Sequence, residues 1–231
     1  MKRIVMSAFF LMLVSRVSVA QEAMDLVLKV KTKIERVNDY EAAGTMKTNV
    51  PFLKVPMADV TIYFKNPDKL KIKNEKGLSL VPKGAASMSL GNLMANKKFT
   101  AIPGENEKIG NITVRVIKLL PSDDNSEIVL STLYIDEARL LILKARTTTR
   151  ENGTYELAMQ YGKYAAYALP DKAFFTFNTK EYKLPKGVTF DYDDGSEKNK
   201  NKDELKTNKG MLEISYNNYI INKGVRDSVF K

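Results

Sequence analysis

The sequence predicts an α+β fold in which one long antiparallel sheet, apolar on a single face, is covered by a thin helical layer. Three observations predict it. Apolar residues recur at helical spacing shortly after residue 21, and from Tyr40 onward the period changes to two. Successive period-two segments are separated by short turns carrying Asn, Asp, Gly or Pro, the chemistry of hairpins rather than of crossover helices. No internal repeat and no linker divides the 231 residues, which at 44% apolar and 28% charged suffice to bury one core.

The first twenty residues read as an export signal. Lys2 and Arg3 form a basic start, residues 4–14 an apolar run too short to cross a bilayer as a helix, and Ser18-Val19-Ala20 a small-residue ending. Cleavage is expected after Ala20, leaving residues 21–231 as a single soluble domain with no cysteine to carry a lipid anchor. A helix follows, with Leu26, Val30, Ile34 and Val37 on one face and Lys29, Lys31, Lys33, Glu35 and Arg36 on the other, broken by Asn38-Asp39.

Next comes a hairpin. Ala58, Val60, Ile62 and Phe64 alternate with Asp59, Thr61, Tyr63 and Lys65, and beyond Asn66-Pro67-Asp68, Leu70 and Ile72 alternate with Lys69, Lys71 and Lys73. The spacing predicts further strands over 112–116 (Ile112, Val114, Val116), 128–135, 139–149, 155–161, 174–177 and 211–221, the last interrupted by Asn217 and Asn218. Residues 84–97 stand apart: Met88, Leu90, Leu93 and Met94, with Gly91 between them, suit a short helix that either caps the core or forms a movable cover over an apolar guest. Residues 196–209 are almost wholly polar and read as a solvated loop.

Composition narrows the chemistry. Without Cys there is no disulfide, no thiolate nucleophile and no CxxC zinc site; without His the commonest general base is gone. Nucleophile-elbow, zinc-protease, dinucleotide and phosphate-loop patterns are all missing from the sequence. Asp191-Tyr192-Asp193-Asp194-Gly195 has its glycine one place too early for a calcium loop, and Lys202 stands where the closing Glu belongs. Ser228 and Lys231 form a Ser-x-x-Lys pair at the end of the chain, and no carboxylate pair stands out as a glycosidase site would require. Asn111-Ile112-Thr113 and Asn152-Gly153-Thr154 fit glycosylation only in a eukaryotic host. The formal charge of +10, lowered by three when Lys2, Arg3 and Arg16 leave with the leader, is scattered through strands rather than gathered on one helix. The expectation is a protein that is not an enzyme and uses no metal, no cofactor and no nucleic acid. A broad one-faced sheet with two small covers leaves room for a concave apolar pocket, or packs completely; composition allows both.

Several motifs, in this order, resemble the periplasmic lipoprotein carriers of the LolA family and their relatives LolB, LppX and RseB. They are the helix from Asp25-Leu26 to Val37 followed by Asn38-Asp39-Tyr40, then the run Val60-Thr61-Ile62-Tyr63-Phe64-Lys65-Asn66-Pro67-Asp68-Lys69-Leu70. Residues 84–96 fall where that family has its lid helices, and Phe174-Phe175-Thr176-Phe177 with Leu184-Pro185-Lys186-Gly187-Val188 matches its near-terminal strand and turn. The likeness spans nearly the whole chain after the leader.

The resemblance implies an incomplete antiparallel β-barrel, or half-barrel, with helices covering an apolar cavity. It also implies a periplasmic, monomeric carrier that binds the acyl chains of lipoproteins or other lipids and moves them toward the outer membrane. Inner-membrane loading proteins and outer-membrane acceptors would be its partners. Its expected ligand-binding residues are Val60, Ile62, Phe64, Leu70, Ile72, Ile112, Val114 and Val116, with Met88, Leu90, Leu93 and Met94 as the cover. The alternative is an RseB-like sensor of lipid or lipoprotein acting through a protein partner; a secreted hydrolase using carboxylates is a third reading. One departure stands out: the best-known carriers have Arg before the proline of the hairpin, tied to lid closure, where this chain has Asn66. Asn cannot supply a charged fork, which leaves Lys65 and Lys69 as the nearest cations.

Overall fold

Alternating apolar and polar side chains after Val37 build strands, and the computed structural model shows how they assemble over residues 20–49, 57–67, 69–74, 99–151, 153–178 and 209–230. Helix α1 occupies residues 20–34. Ala23, Leu26, Val27 and Val30 form its buried stripe. Eleven strands follow: β1 Asp39–Asn49, β2 Ala58–Lys65, β3 Lys69–Asn74, β4 Phe99–Pro103, β5 Glu107–Ile109, β6 Ile112–Pro121, β7 Ile128–Asp136, β8 Leu141–Thr149, β9 Thr154–Gln160, β10 Lys172–Asn178 and β11 Lys209–Ile221.

The order across the sheet is β3-β2-β1-β11-β10-β9-β8-β7-β6-β4, with β5 added on β6, and every pairing is antiparallel. The expected meander is thus two meanders, β1–β3 and β4–β10, joined by β11, which inserts between β1 and β10. Strands β4 and β5 are too short to betray themselves by alternation. The strand expected from residue 139 starts at Leu141, because residues 137–140 form a turn in which Leu140 has a φ of 51°.

The sheet curls. Strands β3 and β9 lie five steps apart, roughly 24 Å if the sheet were flat at its usual spacing. Yet Leu70 and Ile72 of β3 border the same cavity as Leu157 and Met159 of β9. Strands β3 and β4 do not pair with each other among the described residues, so the curl stops short of a closed barrel. Lys69, Lys71 and Lys73 on the edge strand β3 disfavour its pairing with another chain.

Two main clusters fill the concave side. In one, the α1 stripe packs on Ala101, Ile117, Leu119, Leu133, Ile135, Ile142 and Ala145 of strands β4 to β8. In the other, Val37 and Leu169 pack with Ala42, Met46, Ile62, Ile72, Phe175, Leu212 and Ile214 from the opposite half of the sheet. Among the described residues one helix therefore serves half the sheet, and the connection between β9 and β10 meets the other half.

A bulge shapes the second half. Ala43 pairs with Asn218 but Gly44 with Tyr216, which leaves Asn217 as the extra residue. In a regular strand Tyr216 and Tyr219 would face opposite sides; the bulge brings both to one side, stacked with ring centroids 5.1 Å apart. Gly44 is required here, since a Cβ would run into the carbonyl oxygen of Ser215.

Beyond β11 the chain straps the start of the sheet to its end. Asn222, at a φ of 55°, accepts from the amides of Asn38 (2.7 Å) and Asp39 (3.3 Å) and donates to the Arg36 carbonyl at 2.9 Å. In the 3-10 turn Asp227–Phe230, Asp227 pairs with both Lys65 (3.0 Å) and Lys69 (2.9 Å), so these two cations are engaged at the turn. Lys69 also lies over the Phe230 ring.

Gly44→Ala is expected to destabilise the fold by about 1–3 kcal/mol through backbone displacement at the β1–β11 seam, read from denaturant midpoints. Lys69 and then Lys65 hold the Asp227 carboxyl below its ordinary value. The strap's contribution is therefore full above the unfolded carboxylate's titration and is lost as pH falls through the lowered folded value. Amide exchange at residues 224–230 should rise in that acid window, and Asp227→Asn should show the faster exchange at neutral pH.

Candidate functional site

A cavity of about 120 Å³ lies on the concave face where α1 ends. Its walls come from five places. Ile34 and Val37 end the helix; Ile62, Phe64, Leu70 and Ile72 come from the β2–β3 hairpin; Leu157, Met159, Ala173, Phe175, Leu212 and Ile214 come from β9, β10 and β11. Tyr40 and Tyr216 stand on β1 and β11, and Tyr167, Ala168, Leu169 and Pro170 form a roof. Among the described residues this wall contains no carboxylate, amine or guanidinium. Its polar side chains are the phenols of Tyr40, Tyr167 and Tyr216, and the rest of the wall can hold an apolar group away from water.

The roof is the turn between β9 and β10, residues 161–171. A short 3-10 helix, Ala165–Tyr167, ends at Ala168 in the left-handed conformation. Local bonds close the turn, Leu169 N–H to the Tyr164 carbonyl at 3.3 Å and Asp171 N–H to the Gln160 carbonyl at 2.8 Å. Tyr219 fastens it to the sheet, donating its hydroxyl to the Pro170 carbonyl at 2.7 Å, while the Tyr164 hydroxyl accepts from the Tyr219 amide at 3.4 Å. Their rings meet edge to face at 4.9 Å. Tyr40 extends the aromatic group, stacked on Phe64 and edge-on to Tyr219, each at 5.2 Å. Tyr167 remains 46% exposed at the rim.

The structure places the sequence-predicted residues in three groups. Ile62, Phe64, Leu70 and Ile72 come together in the cavity wall. Val60 is buried in the same cluster but outside the wall. Val114 and Val116 are buried in a third cluster with Tyr134, Leu141, Leu143 and Ala168 of the roof, against which Ile112 and Ile34 pack, and none of Ile112, Val114 and Val116 borders the cavity. The reason is parity. Arg115, 3.8 Å from Glu22 of α1, and Ile117 and Leu119, packed on the helix stripe, hold the helix-facing positions of β6. With a period of two, Ile112, Val114 and Val116 alternate with them and belong instead to the cluster that Ile34 and Ala168 meet at the end of the helix. Met88, Leu90, Leu93 and Met94 lie outside the described residues, as do Asp191–Gly195 and Leu184–Val188. The roof residues and Tyr40 and Tyr216 are absent from the sequence-based set. The signal that could have found the roof is the short apolar run Ala165 to Leu169 between Gly162 and Pro170, too short for a helix and without strand alternation.

Burial pushes the phenols of Tyr40, Tyr161, Tyr216 and Tyr219 above their ordinary value and that of Tyr155 up to about 12. All five stay neutral at physiological pH.

No protein-family model matches the sequence, and no curated protein does. Solved structures do match over nearly the full length. An outer-membrane lipoprotein-sorting protein domain from Vibrio parahaemolyticus is 14% identical, with 92% of this chain and 97% of that chain covered and a TM-score of 0.53. A DUF1329-family protein from Desulfovibrio piger is 10% identical over 92% of this chain and 97% of its own, with a TM-score of 0.55. A LolA-superfamily protein from Nitrosomonas europaea is 11% identical over 90% and 97%, with a TM-score of 0.53. At such identities the likeness is one of fold, and the fold is the LolA-like incomplete barrel that the sequence resemblance implied.

The buried phenols generate a prediction at alkaline pH. Their folded values lie above the unfolded one, so their contribution is complete below about pH 10, the ordinary tyrosine value, and declines as pH rises toward the folded values. The tyrosinate absorbance of these residues should therefore appear together with loss of the far-ultraviolet circular dichroism signal, rather than before it.

Proposed function

We propose that the chain is an exported, non-enzymatic carrier that takes acyl chains of lipoproteins or other lipids into its apolar cavity and moves them toward the outer membrane. The observation that carries this reading is the cavity itself: a hydrocarbon wall on the concave side of an open sheet, where packing would otherwise be continuous. Two neighbours in fold, one described as an outer-membrane lipoprotein-sorting domain and one as a LolA-superfamily protein, support it. So does the leader-like start of the sequence.

The size of the cavity constrains the mechanism. At about 120 Å³ it is comparable to a dry engineered cavity of about 150 Å³ that admits benzene, and smaller than the ~300 Å³ at which ligand pockets begin. A whole acyl chain enters only if the wall moves. The roof at 167–170 is the element to give way, because few bonds hold it, while the hairpin and β9–β11 belong to the sheet ladder. Each buried methylene contributes about 0.8 kcal/mol, so a long chain can offset the opening. A carrier must also release, which favours a cover of moderate stability.

Native mass spectrometry of gently purified protein, with titration of a fluorescent fatty-acyl probe, tests the reading: bound lipid or saturable uptake is expected. Ala173→Phe, which fills the cavity from β10, should lower uptake at least tenfold while leaving the circular dichroism spectrum unchanged. Uptake by the variant equal to that of the parent would place the acyl site elsewhere, and no uptake by either would end the carrier reading.

A further inference from the structure

Three tyrosines border the cavity, Tyr40, Tyr216 and, at its exposed rim, Tyr167. The other phenols nearby are committed: Tyr219 donates to the Pro170 carbonyl, Tyr161 to the Ile142 carbonyl at 3.0 Å, and the Tyr164 hydroxyl accepts the Tyr219 amide. Tyr40 and Tyr216 border the cavity, and among the described residues neither hydroxyl enters a hydrogen bond. Nor is either oxygen sealed in, since the enclosed side-chain atoms without a partner are those of Thr48, Ser126 and Asp171. Each hydroxyl thus keeps accessible surface although its ring is packed against Phe64 or Tyr219.

Both residues are half-buried and border the cavity. Both rings meet that of Tyr219, Tyr40 edge-on at 5.2 Å and Tyr216 stacked at 5.1 Å, and desolvation raises both phenols. Both are protonated donors at physiological pH. A phenol donor at an apolar pocket is matched by a guest that supplies an acceptor. No carboxylate on the described wall could receive a cationic guest.

We infer that Tyr40 and Tyr216 each offer the guest of the cavity a hydrogen-bond donor for an acceptor oxygen, the carbonyl of an acyl ester or amide, so that the cavity prefers acyl chains to plain hydrocarbon. The inference rests on the acyl-binding reading above and adds a basis for selectivity within it. The bulge at Asn217 is the structural device behind it, because it sets Tyr216 and Tyr219 on one side, one ring for the guest and one for the roof.

The test uses two dansyl-labelled undecyl chains, one ending in a methyl ester and one in a methyl group, titrated into the full chain by dansyl emission. The parent protein should bind the ester chain about fivefold more tightly or better, the worth of one net hydrogen bond. Tyr40→Phe and Tyr216→Phe, which keep the rings and their stacking, should each weaken the ester chain by about 3–10-fold and leave the methyl-ended chain unchanged. Equal affinity of the parent for the two chains, or equal weakening of both in the variants, overturns the inference while leaving the cavity as an acyl site. Failure of both chains to bind saturably overturns the acyl reading itself, and the inference with it.

Discussion

An apolar sheet face has to be covered, and among the described residues little is placed to cover it. Helix α1, at about 1.5 Å per residue over residues 20–34, is roughly 22 Å long, against a sheet ten strands across. Curling lets the sheet serve as its own cover: the β2–β3 hairpin is brought round toward β9, and hydrophobic clusters from both halves meet beneath the helix and the β9–β10 turn. The cavity lies where these three covers converge without quite filling the space.

The parts of this arrangement that could be read in the sequence are those with an unambiguous period. The α1 stripe and the β2–β3 hairpin show their buried faces directly, because polar residues occupy the alternate positions almost without exception. Strand β6 does not. Apolar residues hold both parities between Ile112 and Leu119, and only its pairing with β7 and its contact with α1 decide which side meets the helix. At Asn217 the difficulty is different. A pair of asparagines weakens any strand signal, and the bulge that they accommodate reverses the facing of every residue after it. Tyr40 and Tyr216 were legible as strand residues but not as parts of one cavity wall, since they sit on strands brought together by the insertion of β11. The roof was hidden because the run from Ala165 to Leu169 has neither period.

The resemblance to the LolA family pointed to a basic residue near the hairpin's proline as the group that closes the cover. In this chain the two lysines beside Asn66 turn outward to Asp227, and the Asn66 amide donates to the Asn38 carbonyl at 2.7 Å. The hairpin is thus held to the C-terminal turn by charge, and the roof to the sheet by the Tyr219 hydroxyl. Separate fastenings allow the roof to move while the hairpin wall keeps its place. That division is what the proposed acyl site would need in order to enlarge without losing its sheet.

The insertion of β11 also bears on how the molecule forms. Its partner β1 pairs Tyr40 with Ile221, residues that stand at opposite ends of the folded region. Contacts so remote in sequence demand a large loop entropy before they return any energy, which places the topology among slow-folding ones. Until that strand docks, the two meanders lack their common neighbour and present naked edges to whatever surrounds them. A chain built this way gains from being kept extended and escorted until its last long strand is available.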